Sequence, residues 1–371
     1  MSKSFTPNTA NDGMMILSRL LLSAGDGERS RLPLSTDANS GITGITWNKF
    51  KELLALANTN HVIVRGLEVF LKIMLDARNE VRADWAATAL AAERRRIDNA
   101  ILFLHAICTV FTEEGRDATV IKSLDHWPDL GSDLDLYTNA DSEEICTLMK
   151  RHFQAQIAPR SWGDRLARKW NFLIPGLPEP VEIHMGRLGQ TGEQVAIASW
   201  LSARARPAMI GGQTFRVPAV SDRLMISTLQ RMYRHFYFRL CDIVDTATLA
   251  ASRSINYDEL RSSARTAGIW EGVATYLVIV SDYLKQYRGS GLDLPQLVRA
   301  GARFGGGEVY FGRGFLRVPI MPQSAGLYRS QLTGLLRRRE LYNSARLGLL
   351  PWLATAAVVG QKITGSDKGI W

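Results

Sequence analysis

Cysteine is scarce in this sequence, and its spacing excludes two common kinds of local cysteine site. The three cysteines, Cys108, Cys146 and Cys241, are far apart and form no C-x-x-C pair. The spacing therefore fits neither a zinc ribbon nor a redox pair of neighbouring thiols. The amino terminus also lacks the charged start, apolar run and small-residue cleavage site of a secretory signal. We therefore expect a cytoplasmic protein whose cysteines are reduced and buried.

Long hydrophobic runs are missing as well, which argues against a multispanning membrane protein. Hydrophobic residues make up 46% of the chain and charged residues 22%, an ordinary composition for a folded soluble domain. The longest apolar run, LGLLPWLATAAVVG at 347–360, is shorter than the roughly 20 residues that a span needs. We favour a buried core helix here. The alternative is peripheral membrane contact, with the basic residues at 337–339 holding the segment to anionic lipid.

Acidic residues are outnumbered, and this imbalance favours polyanionic partners. The chain has 45 Lys and Arg against 36 Asp and Glu, a net charge of +9. Nucleotides, nucleic acid and anionic lipid all fit such a charge, although many basic proteins bind none of them.

The hydropathy pattern changes along the 371 residues, which are enough for two or three packed units. Helical spacing dominates residues 1–115, and strands with one helix follow at 116–220. The helical period returns at 221–300, and a glycine-turned hairpin and a helical segment are predicted at 301–371. The expected fold is α+β, with a small mixed-sheet core flanked by helical regions.

Two carboxylates alternate with leucines in the segment IKSLDHWPDLGSDLDLYT. In a strand, Asp133 and Asp135 would share one face, and their mutual repulsion requires a cation, a proton or full solvation. Glu182, in VEIHM, adds a third carboxylate on a second strand. Three hard oxygen ligands suit Mg²⁺, completed by substrate phosphates. The alternative is an acidic turn on an exposed edge.

The segment VIKSLDHWPDLGSDLDLYT, followed by PVEIHMGRL, resembles the bacterial uncharacterised nucleotidyltransferase family of the polymerase-beta-like superfamily. The matching positions of that family's lysine-glycine strand end, D-[IL]-D-L strand and acidic-x-histidine strand are Lys122, Asp133, Asp135, Glu182 and His184. The helical segment from residue 221 also resembles that family and, more distantly, the AbiEii-type toxin nucleotidyltransferases. The likeness covers about residues 85–285.

The resemblance implies a nucleotidyltransferase core with Asp133 and Asp135 as metal ligands and Glu182 as third ligand or base. It also implies nucleotide-binding positions, namely Lys122, Ser123, Ser132, Arg239 and Asp242. Ser123 replaces the glycine that would let the backbone approach a triphosphate closely. We expect Asp242 to hold the Arg239 guanidinium, the alternative being an exposed pair within one helix.

Two roles are considered for His184 and two for Lys122. We expect His184 to orient Glu182 or a bound water from outside the metal shell. Lys122 either contacts phosphate or is a solvated lysine at a strand end.

These residues predict an enzyme that uses Mg²⁺, or Mn²⁺, to transfer NMP from a nucleoside triphosphate to an acceptor hydroxyl. The acceptor is a small molecule, a glycan precursor or RNA. Two alternatives stay open. One is a catalytically silent protein that holds a nucleotide or nucleic acid, which the serine at position 123 favours. The other is a toxin-like enzyme that modifies tRNA, which the basic charge favours.

Overall fold

A computed structural model describes residues 9–22 and 42–352, and helices account for most of that part of the chain. Some of the helices begin at a residue whose side chain caps them. Asp141, for example, accepts a hydrogen bond from the Glu143 amide at the start of the helix predicted to begin there. The helices are α1 (Thr9–Leu22), α2 (Trp47–Thr59), α3 (Ile63–Asp76), α4 (Glu80–Glu113), α5 (Ser142–Phe153), α6 (Trp162–Leu166), α7 (Val195–Arg204), α8 (Val220–Thr228), α9 (Leu240–Ala251), α10 (Tyr257–Ala267), α11 (Trp270–Arg288), α12 (Gln296–Gly301), α13 (Ala325–Arg337) and α14 (Leu341–Gly348).

The largest sheet has five strands in the order β1, β2, β5, β4, β3. The two central strands, β2 and β5, run parallel, and every other neighbouring pair in this sheet is antiparallel. The fold is thus mixed α/β, which confirms the coarser part of the α+β prediction, namely a small mixed sheet combined with helical regions. The strands of this sheet are β1 (Thr119–Val120), β2 (Leu134–Thr138), β3 (Gln156–Ile157), β4 (Lys169–Leu173) and β5 (Val181–Met185).

Alternation of side chains divides the central strands into an apolar face and a polar face. Leu134 and Leu136 on β2, like Val181 and Ile183 on β5, are completely buried. Burying such a side chain contributes about 1.5–3 kcal/mol, so these four positions fix the strand register. The intervening residues must then face the opposite side, and they carry most of the chemistry discussed below.

One continuous apolar core joins the sheet to the helices on both sides of it in the sequence. Its members run from α1 through α13 and include large buried side chains in α4 and α11. The two smaller sheets are a hairpin beside α4 and a three-stranded sheet near α9. Their strands are β6 (Arg206–Ile210), β7 (Gln213–Val217), β8 (Tyr237–Phe238), β9 (Tyr310–Gly312) and β10 (Phe315–Arg317).

The continuous helical period predicted from residue 221 is wrong between α8 and α9. A π-helical turn at Leu229–Arg234 follows α8, and the short strand β8 follows the turn. β8 forms here because β10, part of the predicted hairpin, pairs with it from about 80 residues downstream. Such a pairing partner cannot be read from local periodicity.

The described residues limit two of the sequence predictions. No helix within 9–22 and 42–352 is both long and apolar enough to cross a bilayer. The apolar run at 347–360 lies mostly outside the described residues, so its assignment as core helix or lipid contact stays a prediction.

Candidate active site

Three carboxylates lie together at the polar face of the two central strands. Asp133 immediately precedes β2, whereas Asp135 lies within it and is opposed in register to Glu182 on the parallel strand β5. All three line one open cleft. The ligand atoms that lie within 4.8 Å of one another here belong to Asp135, Glu182 and His184, whereas Asp133 lines the same cleft outside that group.

Before the D-x-D strand, the chain makes an unusual turn at Lys122. This residue has φ 61° and ψ −58°, and the Ser123 amide donates to the Ile121 carbonyl at 2.6 Å. Such a γ-turn is strained for a residue with a side chain, and strain of this kind is common at functional sites. The turn aims the Lys122 side chain at the carboxylates.

Ser123 holds the D-x-D strand rather than offering its hydroxyl to the cleft. Its Oγ accepts a hydrogen bond from the Asp135 amide at 2.7 Å and donates to the Asp133 carbonyl at 3.3 Å. The predicted nucleotide contact of this side chain would require breaking these bonds. Ser132, in contrast, is exposed and lines the cleft.

Two lysines balance the charge of the buried carboxylates. The Lys122 ammonium pairs with Asp135 and lies 3.5 Å from Glu182 Oε1. The Lys169 ammonium lies 2.9 Å from Glu182 Oε2 and 2.8 Å from Asp164. The solvated alternative for Lys122 is therefore wrong, because its side chain is buried in an ion cluster.

His184 supports Glu182, as the sequence-based hypothesis expects. Its Nε2 lies 2.8 Å from Glu182 Oε1 and 3.6 Å from Asp135. Its Nδ1 is buried and has no hydrogen-bond partner among the described residues. One side of this imidazole is thus committed to the carboxylates, and the other is free.

The pKa values of Asp133 and Glu182 are shifted in opposite directions. Repulsion from Asp135, together with burial, raises the pKa of Asp133 to about 6, although Lys122 opposes this. Burial alone would raise the pKa of Glu182, but Lys122, His184 and Lys169 outweigh it and hold that pKa well below its ordinary range. Asp133 is thus the carboxylate whose charge lacks sufficient compensation.

Arginines form the opposite wall of the cleft. Arg234 and Arg239 line it, and neither forms an ion pair with a described carboxylate. Arg239 lies 3.4 Å from His61 Nδ1 through Nη1, and its Nε is buried without a hydrogen-bond partner. Uncompensated guanidinium groups facing a cleft are suited to phosphate.

The predicted clamp between the side chains of Arg239 and Asp242 is wrong. Asp242 Oδ2 accepts from the Arg239 backbone amide at 2.7 Å and pairs with Arg231 Nε at 2.7 Å. Arg239 lies just before α9 begins, so Asp242 caps the helix instead of reaching the guanidinium. The alternative of an exposed pair is wrong as well, because Asp242 is buried.

The donor set at Asp133 and Asp135 fits a divalent cation such as Mg²⁺. Both are hard oxygen ligands, and Asp135 Oδ1 accepts no hydrogen bond of regular geometry despite its contact with Lys122. Mg²⁺ commonly takes one or two carboxylates and completes its shell with water and phosphate oxygens. Glu182 fits less well as a ligand, because both of its oxygens already contact cations.

A second, smaller pocket adjoins the cleft. Lys122, Gln230 and Arg234 line both spaces, and His184 lines the second. The other lining residues are mainly apolar, namely Ile121, Leu188, Gly189, Gln190, Ile226 and Leu229. The ion cluster thus borders two different spaces.

Sequence reasoning missed several residues that shape the cleft. Lys169 faces Glu182 from the antiparallel strand β4, which the sequence analysis does not predict. Arg96 donates to the Leu130 and Gly131 carbonyls, at 3.2 and 3.4 Å, and pairs with Glu179. It therefore anchors the loop before Asp133.

For Lys169, the only local signal was the alternating pattern of KWNFL, the segment that forms β4.

No protein-family model, curated protein or solved structure matches this chain. The function must therefore be argued from the cleft itself.

Proposed function

We propose that this protein is a magnesium-dependent nucleotidyltransferase that transfers NMP from a nucleoside triphosphate to an acceptor hydroxyl. One observation carries the proposal. Asp133 and Asp135, beside the opposed Glu182, share a cleft with Arg234 and Arg239, which pair with no carboxylate within residues 9–22 and 42–352. Carboxylates that fit Mg²⁺ and arginines that fit phosphate are the two requirements of a metal-triphosphate site.

The reaction in this cleft is an in-line displacement at the α-phosphorus. The acceptor oxygen forms a bond to that phosphorus, the bond to the bridging oxygen breaks, and pyrophosphate leaves with the displaced electron pair. Mg²⁺ held by Asp133 and Asp135 supplies charge neutralisation and orients the phosphates. Arg234 and Arg239 hold the triphosphate.

The hydroxyl proton passes to a carboxylate of the cleft. Glu182 is the residue that the family resemblance assigns to this step. Lys122, Lys169 and His184 all contact Glu182, so a proton arriving there would compete with these groups for its oxygens.

The side of the ion cluster that carries Lys122 and His184 is the place we propose for the acceptor. The adjoining pocket there is small and mainly apolar, so it would receive only a small part of the acceptor. The acceptor class proposed remains a hydroxyl on a small molecule, a glycan precursor or RNA.

A second candidate function is nucleotide or nucleic-acid binding without catalysis. The specific observation in its favour is that the Lys122 ammonium lies on Asp135 and that lysines contact both Glu182 oxygens. Because the lysines already compensate the carboxylates, an anionic ligand would not need a metal to bind in this cleft. Ser123 in place of glycine favours this candidate as well.

The test uses each of the four α-labelled nucleoside triphosphates with Mg²⁺, and offers the protein pooled tRNA and metabolite extracts. Mass spectrometry would detect an NMP adduct on an acceptor, and a coupled assay would detect pyrophosphate. The proposal expects Asp135→Asn to abolish both signals and Asp98→Asn, an exposed control on α4, to retain them. Metal-independent triphosphate binding with no adduct would instead establish the non-catalytic candidate.

A further inference from the structure

A second group of metal-binding side chains lies beside the cleft and plays no part in the nucleotidyl-transfer proposal. It consists of His61, His126 and Cys241, whose ligand atoms all lie within 4.8 Å of one another. Cys241 Sγ is 3.8 Å from His126 Nε2. A thiolate with two imidazoles is a ligand set that zinc favours over magnesium, whose preferred ligands are oxygens.

The chain holds these side chains together by bonds that precede any ion. Asn60 Oδ1 accepts from the Leu240 amide at 3.1 Å, and the Asn60 carbonyl accepts from the Cys241 amide at 3.3 Å. His61 is therefore tied to the start of α9 through its neighbour. Gly131 also contributes, because a Cβ there would lie 3.0 Å from His61 Cε1. A side chain at this position would press the imidazole out of place.

His126 has the outer partner that zinc-binding histidines usually have. Its Nδ1 lies 2.6 Å from Asp245 Oδ2, and Arg65 fixes Asp245 from the other side at 2.7 Å. A carboxylate bound to Nδ1–H leaves Nε2 as the nitrogen that would bind a metal, in place of any proton it carries. Nε2 faces Cys241, one helical turn before Asp245 on α9.

The separation of one ligand pair is close to that of a tetrahedral site, and all three separations lie within 4.8 Å. Zinc bonds of about 2.3 Å to sulfur and 2.0–2.1 Å to nitrogen put neighbouring ligand atoms about 3.5 Å apart. The separation of 3.8 Å between Cys241 Sγ and His126 Nε2 therefore needs only a small contraction.

The fourth coordination position would face the cleft. His61 and His126 both line the cleft, whereas Cys241 is completely buried behind them. Three protein ligands with an open fourth position characterise catalytic rather than structural zinc sites. The open position would take water or an anionic oxygen of a bound ligand.

We propose that Cys241, His126 and His61 bind a zinc-type divalent ion whose open coordination position faces the cleft. This site is separate from the Asp133 and Asp135 pair and does not depend on nucleotidyl transfer. Arg239 lies on His61 and opposes a second positive charge there.

The test uses Co²⁺ as a spectroscopic substitute and Zn²⁺ as competitor, with the full chain in its reduced form. We expect a near-ultraviolet thiolate-to-cobalt charge-transfer band and visible bands of tetrahedral cobalt, both removed by stoichiometric zinc. Cys241→Ser should abolish the charge-transfer band, while Cys108→Ser should keep it. Asp133→Asn should also keep it, since that residue belongs to the other site.

Two further variants separate metal binding from folding. Asp245→Asn should weaken zinc affinity by roughly 10- to 100-fold and retain the band, as expected for loss of an outer partner. Arg239→Ala should tighten zinc binding by removing an opposing charge. If Cys241→Ser does not fold, His61→Asn is used instead, because asparagine tolerates the φ of 52° at this position.

Two outcomes would overturn the proposal. The first is a folded wild-type protein that gives no thiolate-to-cobalt band and binds no zinc. The second is a band that is unchanged in Cys241→Ser or in His61→Asn. Either result would leave the contacts among Cys241, His126 and Asp245 as hydrogen bonds that only stabilise the fold.

Discussion

Asp135 on β2 and Glu182 on β5 are opposed in register, and one ammonium group, that of Lys122, contacts both carboxylates. Two buried negative charges on neighbouring strands repel each other, so the lysine between them stabilises the polar face of the sheet. A divalent cation bound at the same place would supply the same compensation. Lys122 and a metal are therefore alternatives for neutralising this pair.

Lys122→Met should make the fold depend on Mg²⁺. Removing one partner of a buried ion cluster typically costs about 3–5 kcal/mol, since the remaining charges stay buried. Mg²⁺ should then raise the melting temperature of this variant more than that of the wild type. Lys169→Met is the matched control, because it also removes a lysine partner from Glu182 but leaves Asp135 paired with Lys122. Equal responses to Mg²⁺ in both variants and the wild type would contradict this account.

Asp133 should make the metal-free protein less stable as the pH rises. Its pKa is raised to about 6 in the folded state, so the unfolded chain ionises first, starting near the ordinary value of 3.8. The contribution is therefore favourable below that value and is lost between pH 4 and 6, by at most about 3 kcal/mol. Asp133→Asn should be more stable than the wild type at pH 8 and equal to it near pH 4.

Urea unfolding in chelator across this pH range measures the Asp133 effect. Asp98→Asn is the control and should follow the wild-type curve. The two aspartates repel each other, but only the Asp133→Asn substitution should raise the stability of the metal-free protein. Asp135 is the partner of Lys122, so removing its charge leaves that lysine unpaired. A parallel pH dependence in Asp133→Asn and the wild type would refute the assignment.

Ser123→Ala should destabilise the fold, whether or not the protein binds nucleotide. The Asp135 amide would lose its partner in a buried position, at a cost of about 1–3 kcal/mol. Ser132→Ala, in the same segment but exposed, should change the unfolding free energy by less than about 0.5 kcal/mol. Chemical denaturation of the two variants compares them directly, and equal stabilities would show that the Ser123 bond contributes nothing.

Arg239→Ala should weaken triphosphate binding with little change in melting temperature. Its guanidinium forms no ion pair with the described carboxylates, so its loss leaves no buried charge unpaired. Charge-assisted bonds to phosphate contribute about 1.5–3 kcal/mol, which corresponds to a loss of affinity of roughly 10- to 150-fold. Arg337→Ala, exposed on α13, is the control. Unchanged affinity in Arg239→Ala would remove this residue from the phosphate site.

Local alternation was enough to predict which face of each strand the acidic side chains take. Leu134 and Leu136 must be buried, so Asp135 has to face the other side, and the same reasoning places Glu182 and His184. Local capping chemistry likewise predicted the helix that begins after Asp141. These features depend only on residues close together in the chain.

The parts that failed depend on residues far apart in the chain. Lys169 reaches Glu182 only because β4 pairs with β5. The Arg239 guanidinium does not reach Asp242 because the helix predicted to continue from residue 221 is interrupted, and Arg239 lies just before α9 begins. The grouping of His61 with Cys241 is also tertiary. Spacing rules for cysteine sites detect neighbouring ligands, so they could not detect it.

Calorimetric binding of a non-hydrolysable nucleoside triphosphate, with and without Mg²⁺, tests the central claim most directly because it needs no acceptor. The account predicts that the wild type and Asp98→Asn bind the triphosphate more tightly with Mg²⁺ than in chelator. It also predicts that Asp133→Asn and Asp135→Asn lose this metal-dependent part while staying folded. Identical Mg²⁺ and triphosphate binding in the wild type and both site variants would contradict the assignment of the aspartate pair.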